Sequence, residues 1–276
     1  MTRLDIPAPT TVEIVPFTEQ HMPGALALSQ AEGWPHRHED WALSLSVSQG
    51  VAAVGDGRVL GTALCSLHGP VATLNLIIVD AAMRGRGLGR QMMQRVIELA
   101  GDREMRLAAT EEGKPLYRKL GFRDYDQIVQ LQGVATAARP KQVVHAGAVD
   151  TGILAGMDSD ASGMERAALL ARIASNGVTL STDGGFALLR SFGRGHVLGP
   201  VVARDATAAR SLFAAGATRM AGQFLRIDVF ESHGLAPYVE SLGLSMVVGC
   251  TAMVHSPRQR PASNYQTHAL VSQALG

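Results

Sequence analysis

Alternating apolar and polar residues predict a series of strands in the first half of the chain. The candidate strands are TVEIVPF, GVAAVGDG, RVLGTALCSLHG and VATLNLIIVD. They are short, and turn residues bound them, as is typical of strands. Gly55-Asp56-Gly57 and Gly69-Pro70 separate the last three, so we expect those three to form an antiparallel meander.

Helical spacing of apolar residues interrupts these strands and follows them. TEQHMPGALALSQAEGW predicts a helix capped by Thr18, and a further helical stretch follows the polar segment PHRHEDW. The next helix is predicted from Leu88 to Ala100, with an apolar face of Leu88, Met92, Val96 and Leu99. A strand MRLAAT, a short helix ending at Gly121 and a strand around YDQIVQLQG complete this half. The order predicts an α/β domain built in layers.

The second half repeats this order of elements. GFALLRSF and GHVLGPVVARD are strands, followed by helix ATAARSLFAAGA, strand FLRIDVF, helix GLAPYVESLGL and strand SMVVGCTAMVH. Segment VATAARPKQVV has the composition of a connection, so we predict two related domains in tandem, 1–137 and 138–276. The second copy has VARDATAARSL where the first has VDAAMRGRGLG, and it lacks the three glycines.

Composition narrows the class of protein further. The chain has 46% apolar and 18% charged residues, as expected of a globular protein, and a net charge of +1, which gives no indication of nucleic-acid or membrane binding. Cys65 and Cys250 lie in apolar strand-like segments, so we expect buried thiols rather than a disulfide or a metal site. Neither a long apolar segment nor an apolar signal core is present, and a cytoplasmic location is expected.

The segment DAAMRGRGLGR, residues 80–90, stands between a predicted strand and a predicted helix. Glycines allow a tight turn, the first amides of a helix lack intrahelical partners, and arginines add positive charge. A phosphate site and a merely exposed basic turn are equally compatible with the loop alone. A dinucleotide fingerprint fails because Arg90 holds the position of its last glycine, and a P-loop fails because Gly113-Lys114 precedes Pro115.

A third pattern fits. IIVDAAMRGRGLGRQMM resembles the R/Q-x-x-G-x-G/A signature of the GNAT superfamily of N-acetyltransferases, filled by Arg84, Gly87 and Gly89. PLYRKLGF resembles that superfamily's L-Y-x-x-x-G-F motif, filled by Leu116, Tyr117, Gly121 and Phe122. The resemblance covers roughly residues 10–135 and implies a GNAT fold, a mixed and mostly antiparallel sheet flanked by helices. The wider pattern resembles a group of two-domain GNAT proteins, with a degenerate second domain here.

The resemblance also implies acetyl-CoA as the cofactor. Its pyrophosphate would lie on the amides from Gly85 to Arg90. Its pantetheine arm would pair with the backbone of Ile77, Ile78 and Val79, at the end of the strand VATLNLIIVD, where the sheet of a GNAT fold splays open. The implied cofactor-binding residues are Ile77, Ile78, Val79, Arg84, Gly85, Arg86, Gly87, Leu88, Gly89, Arg90 and Thr110. Thr110 stands where many GNAT members have an asparagine that contacts the pantetheine arm. Its hydroxyl either makes such a contact or caps the following helix.

Acetyl transfer to an amine needs a neutral nucleophile, a stabilised oxyanion and a proton for the departing thiolate. Tyr117 is the predicted proton donor, with an aromatic packed under the helix as the alternative, and a backbone N–H near Val79 is the predicted oxyanion donor. Thr73 takes the place of a glutamate that some GNAT enzymes use as the base, and it cannot do this work. His68, a water relay or an amine that arrives neutral remain as alternatives.

The segment HRHED offers His36, His38, Glu39 and Asp40 as possible metal ligands, but no cysteine or third histidine is near, so no metal site is expected. In GNAT folds this region borders the acceptor cleft. The candidate acceptor-binding residues are Trp34, His36, His38, Trp41 and His68. The leading hypothesis is an N-acetyltransferase acting on a small-molecule or amino-acid-like amine. The alternatives are acylation of a protein N-terminus or lysine, and a non-catalytic CoA-binding sensor.

Overall fold

The computed structural model describes residues 11–276, which divide into two units. The first unit runs to Ser66 and resumes at Leu74–Gly101, and the second consists of Leu67–Thr73 and Asp102–Gly276. The predicted boundary between residues 137 and 138 stays a prediction, because these units follow contacts in space rather than the order of the repeated pattern.

The first unit holds the predicted meander. Its elements are β1 (Glu13–Pro16), α1 (Met22–Ala31), α2 (His38–Leu45), β2 (Ser48–Gly55), most of β3 (Arg58–His68), the last part of β4 (Val71–Val79) and α3 (Leu88–Ala100). β1 and β2 pair antiparallel, as do β2 and β3, and β3 lies next to β4. The turn between β2 and β3 has positive φ at Asp56 and Gly57, which suits a tight hairpin.

The buried face of α3 includes Met93 and Ala100 in place of the expected Leu99. Met92, Met93 and Val96 are fully buried, and Ala100 closes the face. Leu99 is 36% exposed, so its predicted place on the apolar face is wrong. Positions 93 and 100 lie three and four residues from Val96, about one helical turn in each direction, and therefore share its side of the helix.

The second unit contains the remaining elements. They are β5 (Glu104–Ala109), α4 (Lys114–Lys119), β6 (Arg123–Val134), β7 (His145–Ala146), α5 (Thr151–Ser162), α6 (Ala167–Asn176), β8 (Val178–Thr182), β9 (Gly185–Phe192), β10 (Gly195–Ala203), α7 (Ala206–Arg219), β11 (Phe224–Phe230), α8 (Ala236–Glu240), β12 (Ser245–His255) and β13 (Gln266–Ala269). Its strands follow the order β5-β12-β6-β11-β13-β10-β9-β8-β7. Fully buried Leu212, Phe213 and Ile227 belong to its main apolar cluster.

The last strands of the two repeats are exchanged within this unit. β12 closes the second repeat in the sequence, yet it pairs antiparallel with β5 of the first repeat, from Thr251 opposite Ala109 to His255 opposite Met105. β6 closes the first repeat and pairs with β11 of the second. The other edge of β6 pairs with β12. Each repeat therefore completes the sheet of the other.

This exchange gives a prediction for a shortened chain. A chain that ends after Arg139 loses β11 and β12, which hydrogen-bond the two edges of β6. Exposed strand edges and a halved core are severe defects. We expect circular dichroism of the shortened chain to show no cooperative thermal unfolding. A sharp transition near that of the full chain would contradict the structural importance of the exchange.

Two expectations from composition can be placed on the structure. Cys65 and Cys250 are both buried, and neither is in a disulfide, as predicted. Among residues 11–276, no helix combines the length and the apolar character needed to cross a membrane.

Candidate cofactor loop and catalytic residues

The loop between β4 and α3 needs glycine at two positions. Gly85 and Gly87 have φ values of 77° and 81°, in the left-handed region that costs other L-residues about 1–2 kcal/mol. A Cβ at Gly85 would meet nothing within 4 Å, and one at Gly87 would meet only the side-chain nitrogen of Gln91 at 4.0 Å. Packing does not require these glycines, so they serve the backbone conformation and leave open space above it.

The start of α3 is suited to an anion. Gly87 is the N-cap residue and makes no side-chain cap, while the first intrahelical bond runs from the Gln91 amide to the Gly87 carbonyl at 3.1 Å. The amides of Leu88, Gly89 and Arg90 therefore have no helical acceptor. The helix dipole adds partial positive charge at this end. Phosphate oxygens would satisfy both requirements.

The three arginines of the loop have different surroundings. Arg86 and Arg90 are exposed. The Arg84 guanidinium forms an ion pair with Glu32 and donates from Nε to the Val79 carbonyl at 3.3 Å. Arg84 thus ties the loop to the end of β4 and to the end of α1. A direct contact of Arg84 with the cofactor stays a prediction.

β4 changes its backbone course just before the predicted pantetheine-binding residues. Leu76 has a φ of 48°, unusual for a leucine, and its carbonyl accepts a hydrogen bond from the Thr62 hydroxyl at 2.6 Å. Earlier in β4, Val71–Thr73 pair parallel with β5. Ile77, Ile78 and Val79 follow the irregularity, with Ile78 buried and its neighbours half-buried.

Tyr117 is buried in α4 of the second unit. Its ring packs against Gly113, where a Cβ would come within 2.8 Å of Cε2, and it meets the Phe122 ring edge-on at 6.3 Å between centroids. Burial raises the pKa of Tyr117 to about 12, because the phenolate is poorly solvated there. The phenol is therefore protonated throughout the working range of an ordinary enzyme. The packed-aromatic and proton-donor interpretations are compatible.

The Thr110 hydroxyl has a structural contact. Its oxygen accepts from the Gly113 amide at 3.3 Å, and the Thr110 carbonyl accepts from the amides of Gly113 and Lys114 at 3.1 Å each. These bonds hold the turn before α4, whose N-cap is Gly113 and has no side-chain cap. A further contact with a pantetheine arm stays a prediction.

His68 lies inside the second unit, with 2% of its surface exposed. Its Nε2 has no hydrogen-bond partner among the described residues. Burial, with smaller contributions from Arg166 and Arg106, lowers the pKa of His68 to about 4. A buried neutral imidazole of this kind is a weak base, so we do not assign His68 the removal of the acceptor proton.

His68 and His268 predict a pH dependence of stability. The pKa of His268 is also lowered to about 4, mainly by burial, whereas both unfolded residues titrate near 6.5. Between these values His68 and His268 bind protons in the unfolded chain but not in the folded chain. The free energy of unfolding therefore falls as the pH drops from about 6.5 to about 4. We expect a lower thermal unfolding midpoint at about pH 5 than at about pH 7.

Single substitutions test the origin of this effect. His68→Gln or His268→Gln should reduce the pH dependence of the midpoint, whereas His38→Gln, at an exposed position, should leave it unchanged. Equal dependence in all these variants would show that other groups are responsible.

Three of the predicted acceptor-binding residues of the first unit, Trp34, His36 and Trp41, form an aromatic cluster together with Phe17. Trp41 is buried, stacks on Phe17 at 5.9 Å and donates from Nε1 to the Ser29 hydroxyl at 3.2 Å. His36 meets the rings of Trp34 and Trp41 edge-on at 5.7 and 6.4 Å. Trp41 is thus a core residue, while half-buried Trp34 and His36 form the outer side of the cluster.

Arg37 and Asp40 stabilise the start of α2 in a way that the sequence analysis missed. The Asp40 carboxylate is buried and accepts from Nε and a terminal nitrogen of Arg37 at 3.1 and 2.9 Å, and from the Arg37 amide at 3.0 Å. The Asp40 carboxylate raises the pKa of Arg37 through this hydrogen bonding. The signal available in the sequence was the spacing of three residues between Arg37 and Asp40 at the start of a helix.

The other residues of the segment HRHED do not form a metal site. His38 is exposed, and within residues 11–276 no group of three or more His, Cys, Asp or Glu side chains is placed to hold a metal ion.

Two family models match the chain, and both describe an acetyltransferase (GNAT) domain. One matches residues 47–124 and the other residues 154–269. The first match includes the glycine loop and Tyr117, and the second covers most of the second repeat.

Individual relatives cover nearly the whole chain. YitH of Bacillus subtilis strain 168, named as an uncharacterized N-acetyltransferase, is 27% identical and covers 96% of this chain and 98% of its own. An acetyltransferase candidate from Pyrococcus horikoshii has a TM-score of 0.83 at 19% identity and covers 100% of this chain and 99% of its own. A tandem GNAT protein of the clavulanic acid biosynthesis pathway has a TM-score of 0.61 at 14% identity, covering 91% and 100%. The predicted fold class is confirmed.

Proposed function

Because this chain belongs to the GNAT acetyltransferases and carries two GNAT domains in tandem, we propose that it is an acetyl-CoA-dependent N-acetyltransferase. The acceptor is a primary amine of a small molecule or an amino-acid-like compound. One observation carries the proposal: left-handed Gly85 and Gly87 leave open space over the uncapped first amides of α3. A diphosphate fits this cradle chemically.

Different residues of the first repeat bind different parts of the cofactor. When bound, acetyl-CoA supplies an activated acetyl thioester. The amides from Gly85 to Arg90 hold its pyrophosphate, and exposed Arg86 and Arg90 add charge. The backbone of Ile77–Val79 takes the pantetheine arm as an added strand, which places few demands on side-chain identity.

Tyr117 donates the proton that the leaving sulfur needs. Burial raises its pKa to about 12, which keeps the phenol protonated at neutral pH and also makes it a weaker acid than a free tyrosine. A backbone N–H near Val79 stabilises the oxyanion. Trp34 and His36 contribute to acceptor recognition from the aromatic cluster.

No side chain is assigned as the base. Thr73 cannot accept a proton at neutral pH, and His68 is buried with a pKa of about 4. The acceptor amine therefore enters in its neutral form or loses its proton to water. The lack of an assigned base also favours a second candidate function, a CoA-binding sensor without turnover.

The proposed partner is the small-molecule amine alone. A net charge of +1 supports neither a nucleic acid nor a membrane as a further partner. We propose the cytoplasm as the location of the protein.

A comparison of turnover with different acceptors tests the acceptor class. Release of the CoA thiol is measured with a panel of small primary amines and with peptides that carry a free N-terminus or lysine. The proposal predicts turnover with at least one small amine, and no turnover that requires a peptide as the acceptor. Turnover only with peptides would move the acceptor to the protein class, and binding without any turnover would favour the sensor.

A further inference from the structure

The second repeat has a counterpart for each cofactor-binding element of the first. β10 corresponds to β4, and the start of β10 pairs parallel with β11, His196 opposite Leu225 and Val197 opposite Arg226. The start of β4 pairs parallel with β5 in the same way. The irregularity at Leu76 in β4 has a counterpart in the register shift of β10 between Leu198 and Val201. The segments after these irregularities, Ile77–Val79 and Val201–Ala203, are therefore equivalent.

In the second repeat this backbone is already paired. β13, near the end of the sequence, runs antiparallel to β10, with Ala269 opposite Val201, Thr267 opposite Val202 and Gln266 opposite Ala203. On its other side Ala269 faces Val229 of β11, and the Leu270 amide donates to the Asp228 carbonyl at 2.9 Å. β13 fills the space between the two strands where they diverge.

Gly199 shows how closely this segment is inserted. A Cβ at Gly199 would stand 1.8 Å from the carbonyl oxygen of Leu270, a backbone atom that cannot rotate away. Farther along, Arg166 donates to the carbonyls of Leu275 and Gly276 at 2.8 and 2.7 Å. The buried carboxylate of Asp158 holds the same guanidinium through two hydrogen bonds.

The helix that follows β10 is also occupied at its start. Only Arg204 and Asp205 separate β10 from α7, where residues 80–87 separate β4 from α3. The Asp205 carboxylate accepts from the amides of Thr207 and Ala208 at 2.8 and 2.9 Å. A negative side chain thus satisfies the amides that, in α3, are left for a phosphate.

We propose that the cofactor groove of the second repeat is a strand-binding groove whose ligand is the chain's own segment Gln266–Ala269, and that this segment and Asp205 together exclude acyl-CoA. Main-chain pairing with β10 and β11 replaces the pantetheine arm, and the Asp205 carboxylate replaces the pyrophosphate. The class of ligand that this groove takes is an extended peptide. The inference rests on the proposed function only in its comparison with the first repeat.

Hydrogen exchange and cofactor titration on the full chain test this inference. Exchange of the amides from 266 to 271 should be slower than in the free peptide of that sequence by more than about 100-fold. Saturating acetyl-CoA should leave this protection unchanged, and calorimetry should give one acetyl-CoA per chain. Fast exchange of this segment, its acceleration by acetyl-CoA, or two sites per chain would each overturn the inference.

The same measurements separate this inference from the proposed function. If no acetyl-CoA binds, the proposed function fails, and the exchange of residues 266–271 still decides whether the groove holds its own strand. Gly199→Ala should remove the protection of that segment, whereas Gly156→Ala, where a Cβ meets nothing within 4 Å, should retain it. If Gly199→Ala does not fold, the wild-type exchange and stoichiometry decide alone.

Discussion

Replacing Gly87 with aspartate should abolish most of the affinity for acetyl-CoA while the protein stays folded. The substitution puts an acidic residue at the N-cap position of α3, the position that Asp205 holds at α7. The backbone of Gly87 is left-handed, with a φ of 81°, whereas that of Asp205 is extended, so the expected effect is charge rather than capping: a carboxylate in the open space above the first amides of α3 would repel a diphosphate. One like-charge pair at about 4 Å in a partly exposed site costs several kcal/mol, so we expect a loss of roughly 10²- to 10³-fold in affinity by calorimetry.

Two variants isolate the effect of charge at this position. Gly87→Asn has nearly the same shape and the same backbone cost without the charge, so it should lose clearly less affinity. Gly57→Asp places an aspartate at a φ of 71° with open space around it, and it controls for the left-handed conformation. Undiminished binding by Gly87→Asp would mean that the start of α3 does not hold the cofactor.

Tyr117→Phe should lower turnover by roughly 10²- to 10⁴-fold with little change in the affinity for acetyl-CoA, the range typical of a lost general acid. The ring keeps its contacts with Gly113 and Phe122, so only the proton donor is removed. Because burial raises the pKa of Tyr117 to about 12, the wild-type rate should show no alkaline decline caused by its ionisation below that value.

The matched control for this substitution is Tyr238→Phe. The Tyr238 ring is half-buried and lies beneath the Arg210 guanidinium at 5.6 Å, in α8 of the second repeat and outside the segment PLYRKLGF that contains Tyr117. Its variant should retain the wild-type rate. If Tyr117→Phe turns over as fast as the wild type, Tyr117 is a packing residue and the thiolate departs without its help.

Local features of the sequence predicted the elements of the first repeat well. Gly55-Asp56-Gly57 fixes a hairpin through its positive φ values, and the apolar spacing of Met92 and Val96 fixes the buried side of α3. The glycine loop and the short helix with Tyr117 were found because each motif needs a particular backbone. Such signals act over a few residues and can be read in a linear sequence.

Pairings over long distances could not be predicted in this way. The pattern of apolar residues predicts that β6 and β12 are strands, but this pattern does not select β11 as the partner of β6. α5 (Thr151–Ser162) was missed because its glycines and serines lower helix propensity, although Asp150 caps it. β13 was missed because Gln266–Ala269 is too short to show a period, and its conformation depends on β10 and β11 on either side.

Transfer of a labelled acetyl group tests the central proposal most directly. The full chain is incubated with acetyl-CoA labelled in the acetyl carbon and with the amine panel, and the products are analysed by mass spectrometry. We predict that the label appears on the nitrogen of a small amine, with one equivalent of CoA thiol released for each amide formed. Label that remains on CoA with every amine tested, although acetyl-CoA binds, would contradict an N-acetyltransferase acting on small amines.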